Sequence, residues 1–557
     1  MRPATGEFNL MNKTSTMNTI LRPTALATAL LMTGLSYAQT APDAGQVLQQ
    51  NQQQAPQLPR TSPSINIQQP AAAVTLPGGQ QVTLKGVTLQ GNTVIDTPTL
   101  LASLGQVQGQ TLDLAGLRAL AGRIADHYRA AGYPFARAYL PPQGLEDGVL
   151  RIEVIEGRYG KVQATSGDAA LAAQAQPWLS ALASGAVIES SLLERTTLLL
   201  DDLPGIQTAP VIKPGQAVGT GDLDVRVSRS QPMDGSVGLD NHGNRYTGYQ
   251  RVRAAMNVNS PFVLGDQLSF SALGSDQDLC LGSASYSAPI GSSGLRGNLD
   301  HAHTRYEIGR ELADSQSHGT ADVSSVGLSY PWLRSQRANL TVAATFQHKR
   351  LRDGNLQSTE RKRSDVVPIS LQFDHRDGVG GGGVTFGNIS WTYGRLQREA
   401  AGDELNTRGG FSKFNLDVAR LQTLEGHWSL YGRWSQQTAQ KNLDSSEGMS
   451  ISGASGVRAY PVGELSGDEG WHVQLELRYS VGAYAPYVFY DQGRIRTNAK
   501  GEGPTRALAG AGVGLRYQRG AWTADAALAW RTEGGRPGDA NERDARPRLG
   551  LMVAYRF

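Results

Sequence analysis

Arg458 and Asp491 carry the strongest chemical signal in this 557-residue sequence, and the chemistry they fit is ion pairing. Asp491 lies in an alternating run in which Phe489, Asp491 and Gly493 share one face and Val488 and Tyr490 the other. Arg458 follows Val457 and precedes Ala459 and Tyr460, inside a connection of about thirty residues between Gln440 and Gly470. A connection that long is unusual unless it has a task. A guanidinium can hold a carboxylate through two parallel bonds, which lysine cannot match. Spacing alone leaves another arrangement open, with Arg458 solvated and Asp491 paired to Arg478 or Arg494. Catalytic chemistry has less support. The 9 histidines are scattered, with no His-Glu-x-x-His, and no Gly-x-Ser-x-Gly elbow occurs. Gly378–Gly383 fits Gly-x-Gly-x-x-Gly, but it falls between strands with no helix after it and reads as a turn. The expectation is no enzyme, no catalytic residue, no cofactor and no metal site.

Bulk properties narrow the class. The net charge of +3 gives no case for nucleic acid. Apolar residues make up 39% of the chain, and the mean hydropathy is −0.34. Helical membrane proteins need about twenty consecutive apolar residues per span, so they are excluded. A membrane β-barrel is not, because only alternate strand residues meet lipid. The lone Cys280 permits no intramolecular disulfide. Near the N-terminus, Lys13 and Arg22 precede the apolar stretch Ala25–Leu35, and Ser36-Tyr37-Ala38 offers a small-x-small cleavage site. That pattern predicts an export signal.

Between residues 39 and 80 the sequence is rich in Gln, Pro and Ala. Asp43–Gln54 could form one short polar helix there, which Pro56 and Pro59 would stop. Two segments of similar plan follow. In the first, Val82–Leu89 alternates like a strand, Leu117, Leu120, Ala121, Ile124 and Tyr128 fall on one helical face after Asp113, and two strands close it. The second repeats the order, with a helix from Ser191 to Leu203, Ser191 and Glu194 in capping-box spacing, and strands near Pro210–Ile212 and Leu223–Val227.

From about residue 231 only strands are expected. Val473, Leu475, Leu477 and Tyr479 oppose Gln474, Glu476, Arg478 and Ser480, and Trp522, Ala524, Ala526 and Leu528 oppose Thr523, Asp525 and Ala527. Alternation alone also suits a soluble sandwich. About sixteen strands of bilayer-crossing length, and short turns that alternate with long connections, favour a membrane barrel. Examples of the long ones are Arg305–Gly319, Lys349–Lys362, Arg398–Gly409 and Gln440–Gly470. The chain closes on Leu549, Leu551, Val553, Tyr555 and Phe557, the form of a last barrel strand. A carboxylate facing lipid would cost several kcal/mol, so Asp491 should point into the lumen.

Four local motifs then resemble the outer-membrane transporters of two-partner secretion, the haemolysin-activator and filamentous-haemagglutinin transporter family within the BamA-like superfamily. They are Gly91-Asn92-Thr93 with Ala131-Gly132-Tyr133-Pro134, Leu239-Asp240-Asn241-His242-Gly243, Gly456-Val457-Arg458-Ala459-Tyr460-Pro461, and Phe489-Tyr490-Asp491-Gln492-Gly493. The resemblance implies a mainly β protein: a 16-stranded transmembrane barrel preceded by two α+β POTRA domains and a short N-terminal plug helix. The expected organisation is a signal peptide at 1–38, plug helix and linker at 39–80, POTRA domains at 81–157 and 158–230, and the barrel at 231–557. It implies that the loop motif Val457, Arg458, Ala459 and Tyr460 folds into the lumen and pairs with the wall motif Phe489, Asp491 and Gly493. Gln46, Val47, Leu48, Gln49 and Gln50 belong to the implied plug, whose glutamines could bond a wet polar wall. Where the superfamily commonly has Val-Arg-Gly-Tyr, Ala459 disfavours a positive φ, so the loop tip could differ in shape.

The function so implied is secretion of an unfolded partner exoprotein, of haemolysin or adhesin type and β-helical, from periplasm to surface without ATP. The rival reading is a BamA-like assembly insertase. Expected partners are that exoprotein, outer-membrane lipid and lipopolysaccharide, and the barrel assembly machinery through Phe557. The basic runs Lys349–Arg352 and Arg361–Arg363 are expected on an outer loop, as solvated charge or, less simply, as contacts for lipopolysaccharide phosphates.

Overall fold

The computed structural model describes residues 42–52, 80–399, 402–539, 542 and 544–557. The expected signal peptide and the linker from 53 to 79 lie outside the described residues.

Helix α1 spans Ala44–Gln52, starting one residue after the expected Asp43, while residues 53 and 54 of the expected helix lie outside the described residues. Asp43 precedes it and accepts from Gln46 N at 2.8 Å. The first module pairs helices α2 (Thr97–Leu104) and α3 (Leu114–Ala130) with strands β1 (Gly86–Gln90), β2 (Arg137–Tyr139) and β3 (Val149–Ile155). Asp96 and Asp113 cap the helices, accepting from Thr99 N and Gly116 N. The apolar stripe of α3 packs on β3, where Leu150, Ile152 and Val154 point inward. The sheet order is β1-β3-β2, with β1 parallel to β3.

The second module repeats this plan with β4 (Arg158–Thr165), α4 (Ala169–Ala175), α5 (Ser190–Asp201), β5 (Ile206–Pro214) and β6 (Thr220–Arg229), in sheet order β4-β6-β5. The strand expected near Pro210–Ile212 is nine residues long, and its internal Pro210 is tolerated because β5 is an edge strand. The expected capping box at Ser191 does not form. Helix α5 starts one residue earlier, its N-cap Glu189 makes no capping bond, and Glu194 instead accepts from Gln336 N at 2.6 Å. The carboxylate that could have closed the box is used to dock the module on the barrel.

Glu156 ties the two modules. Its carboxylate accepts from Thr93 and from Val94 N (2.8 Å), Tyr128 Oη (3.0 Å) and Arg158 Nη2 (3.1 Å). Burial works against ionisation, but these donors outweigh it and hold the carboxyl below its usual range.

Sixteen strands then close into a barrel. The first half comprises β7 (Met233–Asp240), β8 (Arg251–Asn259), β9 (Gln267–Ser275), β10 (Cys280–Pro289), β11 (Arg296–Glu307), β12 (His318–Arg334), β13 (Ala338–Gly354) and β14 (Thr359–Asp377). The second half comprises β15 (Gly383–Arg398), β16 (Gly409–Thr423), β17 (Trp428–Ala439), β18 (Glu469–Tyr479), β19 (Tyr484–Arg496), β20 (Thr505–Arg519), β21 (Trp522–Glu533) and β22 (Arg548–Arg556). Neighbours are antiparallel throughout, and β22 returns to β7. The outward face is apolar: Leu328, Ile369 and Trp391 are each more than half exposed. The interior holds ion pairs such as Arg433–Asp417. A soluble sandwich has the opposite polarity, so the solvent outside this cylinder is lipid.

The second module seats on the turns at one end. Arg334 grips Asp202 through bonds of 2.6 and 2.7 Å, and Leu264 of the turn after β8 joins the module's core. Connections at the opposite end alternate with these turns and are generally longer. Lys349–Lys362 is not a loop, however: β13 and β14 run to Gly354 and from Thr359, so only residues 355–358 connect them.

Candidate functional site

The connection 440–468 folds back into the lumen between β17 and β18. It begins with a single helical turn, Ser445–Glu447, and closes on itself through a two-residue ladder between Met449–Ser450 and Ser466–Gly467. At its tip Arg458 meets the barrel wall. Arg458 Nε donates to Asp491 Oδ2 at 2.8 Å, Nη2 to Asp491 Oδ1 at 2.7 Å, and the Arg458 backbone N–H to Oδ2 at 3.1 Å. The remaining guanidinium edge donates from Nη1 to Glu476 Oε1 at 2.6 Å. The Phe489 ring lies 3.7 Å beneath the guanidinium carbon, a cation–π stack. Side-chain exposure is 10% for Arg458, 4% for Glu476 and 0% for Asp491. Neither Arg478 nor Arg494 takes Asp491: Arg478 bonds Glu476, and Arg494 points outward.

The other motif residues pack around this bond. Val457 is fully buried, and its N–H donates to Ile451 O at 2.7 Å. Tyr460 is fully buried too, and its hydroxyl donates toward Glu533 O at 2.6 Å. Ala459 has no positive φ. Its methyl presses on β20 at Gly510, where an added Cβ would lie 2.5 Å from it. Gly493 does permit a close approach, but from Ile451 Cδ1 of the loop and from the adjoining strand, not from loop backbone.

Helix α1 lies in the same lumen. Its Ala44 N–H donates to Asp353 Oδ1 at 2.7 Å, and Asp43 is bonded by Ser445 Oγ (2.7 Å) and Lys362 Nζ (3.3 Å). Val47 and Leu48 are buried against Tyr306, Val323 and Leu351 of the wall and Tyr246 of the connection after β7. The glutamines play a smaller part than expected. Gln49 is buried, yet among the described residues no hydrogen bond joins the side chains of Gln46, Gln49 or Gln50 to the wall. Polar anchoring falls to Asp43, Ala44 and Asn51, the last accepting from Arg251 Nη1 at 3.4 Å. Gly45 is a required glycine, since an added Cβ would stand 2.3 Å from Ser445 Oγ of the lumen loop. Plug and loop therefore touch.

Several partners escaped the sequence reading. Glu476 gathers Arg458, Arg478 (2.7 Å) and Arg516 (2.9 Å). Glu447 receives Lys349 (2.6 Å) and Lys413 (2.9 Å) and pins the start of the loop. Lys362 also reaches Asp444 at 3.1 Å. Lys349 and Lys362 are thus buried lumen residues, not members of a solvated outer loop. One signal was available: Glu476 already stood on the polar face of its strand, where a charge needs an interior partner.

Comparison with known proteins agrees with this fold. Residues 219–517 match the family model described as haemolysin secretion/activation protein ShlB/FhaC/HecB, and residues 82–157 match the POTRA domain of ShlB type. This chain belongs to that family. Among relatives of this two-partner secretion transporter is the heme/hemopexin transporter protein HuxB of Haemophilus influenzae strain 86-028NP, 26% identical and covering 72% of this chain and 74% of its own. The outer membrane transporter CdiB of Escherichia coli is 26% identical, covering 84% of this chain and 82% of its own. The hemolysin transporter protein ShlB of Serratia marcescens is 25% identical, covering 83% and 84%. The solved structure of CdiB from Escherichia coli superposes with a TM-score of 0.72 at 20% identity, covering 89% of this chain and 94% of that one. CdiB from Acinetobacter baumannii gives 0.64 at 19%, covering 86% and 91%. These two share the fold. The family places the barrel in the outer membrane of a Gram-negative cell, with the POTRA domains in the periplasm.

Proposed function

We propose that this transporter receives an unfolded partner exoprotein at its POTRA domains and passes it through the barrel lumen to the cell surface, without nucleotide hydrolysis. The observation that carries this reading is a polar lumen occupied by two elements, α1 and the loop 440–468, each held by discrete bonds. Sheet edges near the entrance support it. Strands β2 and β5 each have one unpaired edge, with Tyr139 and Val211 exposed, and an extended chain can add there through backbone bonds. Names of relatives point to a haemolysin, a heme-related exoprotein or the cargo of CdiB as the class of partner. A β-helical passenger that folds outside the cell would remove unfolded chain from the pore and make exit one-way. Outer-membrane lipid and lipopolysaccharide surround the wall. The exposed C-terminal Phe557, whose backbone closes the seam onto Gly235 at 3.0 Å, is the proposed signal for the barrel assembly machinery.

One observation favours the assembly insertase as a second reading. The seam between β22 and β7 is short: five registered pairs, Met552–Arg556 against Asp240–Ser236, flanked by backbone bonds between Phe557 and Gly235 and from Asn241 N to Leu551 O. A tether separates the two. Gly238 and Ala554 are partners across the seam, and a Cβ on Gly238 would lie 3.3 Å from that of Ala554, close to disulfide reach. In a Cys280→Ser background, oxidised Gly238→Cys/Ala554→Cys is expected to secrete the exoprotein as well as its reduced form. Secretion that stops on oxidation and returns with reductant would favour a lateral path.

A further inference from the structure

Strand parity splits the two basic runs. Lys349 and Lys362 turn into the lumen, while Arg350 and Arg352 of β13 and Arg361 and Arg363 of β14 are exposed on the outer wall. Arg350 stands directly opposite Arg363, and Arg352 opposite Arg361. Like charges facing each other across strands, with Cβ atoms about 5 Å apart, are destabilising unless an anion sits between them. The protein supplies few. Asp322 is bonded to His303 at 2.7 Å and Asp365 to His348 at 2.5 Å. Among the described residues Glu399 reaches only Arg361, at 3.6 Å. Arg350 donates to His348 Nε2, and Arg352 and Arg363 have no acceptor among the described residues. The four arginines, with Gln397, line a groove of about 440 Å³, to which Asp322, opposite Arg350, and Glu399 also contribute.

Position identifies the occupant. On the same outer face, Phe346, Val367, Ile369, Trp391 and Tyr393 form the apolar band nearer the POTRA end. Val367 pairs with Tyr393, and four residues farther along this ladder Arg363 pairs with Gln397. Arg363 therefore lies about 13 Å along the strand from Val367, or about 10 Å along the membrane normal at the usual tilt. Because the POTRA domains are periplasmic, this end emerges on the cell's outside, at the level of the outer-leaflet head groups. Head groups there are phosphorylated glucosamines.

We propose that Arg350, Arg352, Arg361 and Arg363 form a binding site for the phosphates of lipid A, the membrane anchor of lipopolysaccharide. The proposal rests on the outer-membrane orientation above and adds a defined site to it. Each guanidinium can present two parallel donors to a phosphate, and acyl chains would lie along the apolar band below. The site would also neutralise the facing arginines.

The test uses purified full-length protein in detergent, delipidated and titrated with rough-type lipopolysaccharide, read by native mass spectrometry or fluorescence. Arg350→Gln/Arg352→Gln/Arg361→Gln/Arg363→Gln is expected to weaken binding by at least about tenfold, given charge-assisted bonds of this kind. The matching four-lysine variant should recover part of it. Enzymatically dephosphorylated lipid A should bind the wild type as weakly as the glutamine variant binds the intact lipid. Should the glutamine variant fail to give a heat-modifiable barrel, the phosphorylated and dephosphorylated arms on wild type decide. Equal affinity for both lipids, unchanged binding by a folded glutamine variant, or full competition by millimolar inorganic phosphate would each overturn the assignment. Binding is read on isolated protein, so its failure leaves the secretion reading standing.

Discussion

An Arg458→Ala transporter is expected to reach the outer membrane at normal levels and to lose at least about nine-tenths of its exoprotein secretion, because truncating one partner of a buried pair costs about 3–5 kcal/mol. The loss leaves Asp491, fully buried, with only the Arg458 backbone N–H of its three bonds to the loop. It also strips the cation from the Phe489 ring. Glu476 is less affected, since Arg478 and Arg516 still hold it. The tip then has no charged hold on β19, and the loop 440–468 can drift into the conduit. Arg458→Lys should secrete at an intermediate level, because an ammonium keeps the charge but lacks the planar fork that gives Asp491 two parallel bonds while its other edge bonds Glu476. Exoprotein in the medium, normalised to barrel in the membrane, measures this. Full secretion by Arg458→Ala would remove the anchoring role. Exchanging the charges of Arg458 and Asp491 is a weaker test than pairing alone suggests, since an aspartate at 458 would face Glu476. A cycle combining Arg458→Ala with Glu476→Gln separates the two bonds.

Removal of residues 42–52 should have the other large effect, a severalfold rise in the single-channel conductance of the resting protein. Barrels of sixteen strands leave an aqueous channel when nothing fills them. Here α1 occupies that space, with Ala44, Val47 and Leu48 nearly inaccessible to solvent. Gly45→Leu should approach the same conductance without any deletion, because its side chain would collide with Ser445 and Ser446 of the lumen loop. Lys362→Ala should act in the same direction but less, since Asp43 keeps its bond from Ser445. An unchanged conductance in the deletion variant would show that α1 does not limit ion flow.

Much of this was legible in the chain because the barrel's two environments impose a period of two on residue type. Val488, Asp491 and Gly493 could be assigned to faces from alternation alone, and the faces they occupy are the expected ones. The Arg458–Asp491 bond needed more than spacing, which equally allowed Arg478 or Arg494 as partners; the family resemblance broke that tie. Lys349 and Lys362 are not legible as lumen residues because a dense run of charges looks like a loop when strand ends are unknown. The 17-residue β13 and 19-residue β14 outrun the bilayer, so polar alternation above the apolar band mimics irregular chain. Glu447 and Lys413 could not have been paired from sequence, because the loop's path through the lumen sets that contact. The failed capping box at Ser191 has a similar cause: a long-range partner, the turn at Gln336, takes Glu194 from its local role.

The central claim is that the exoprotein travels inside the cylinder. Adjacent residues of β14 test it at one height in the membrane: Gln372 has lumen parity and is exposed there, and Leu371 faces lipid. A photo-crosslinking amino acid at each position, with an exoprotein stalled in transit by a folded C-terminal fusion, reads which side the passenger touches. The account predicts an adduct from position 372 and none from 371. Adducts from 371 alone, or no adduct from 372 while stalled passenger is exposed at the cell surface, would contradict it.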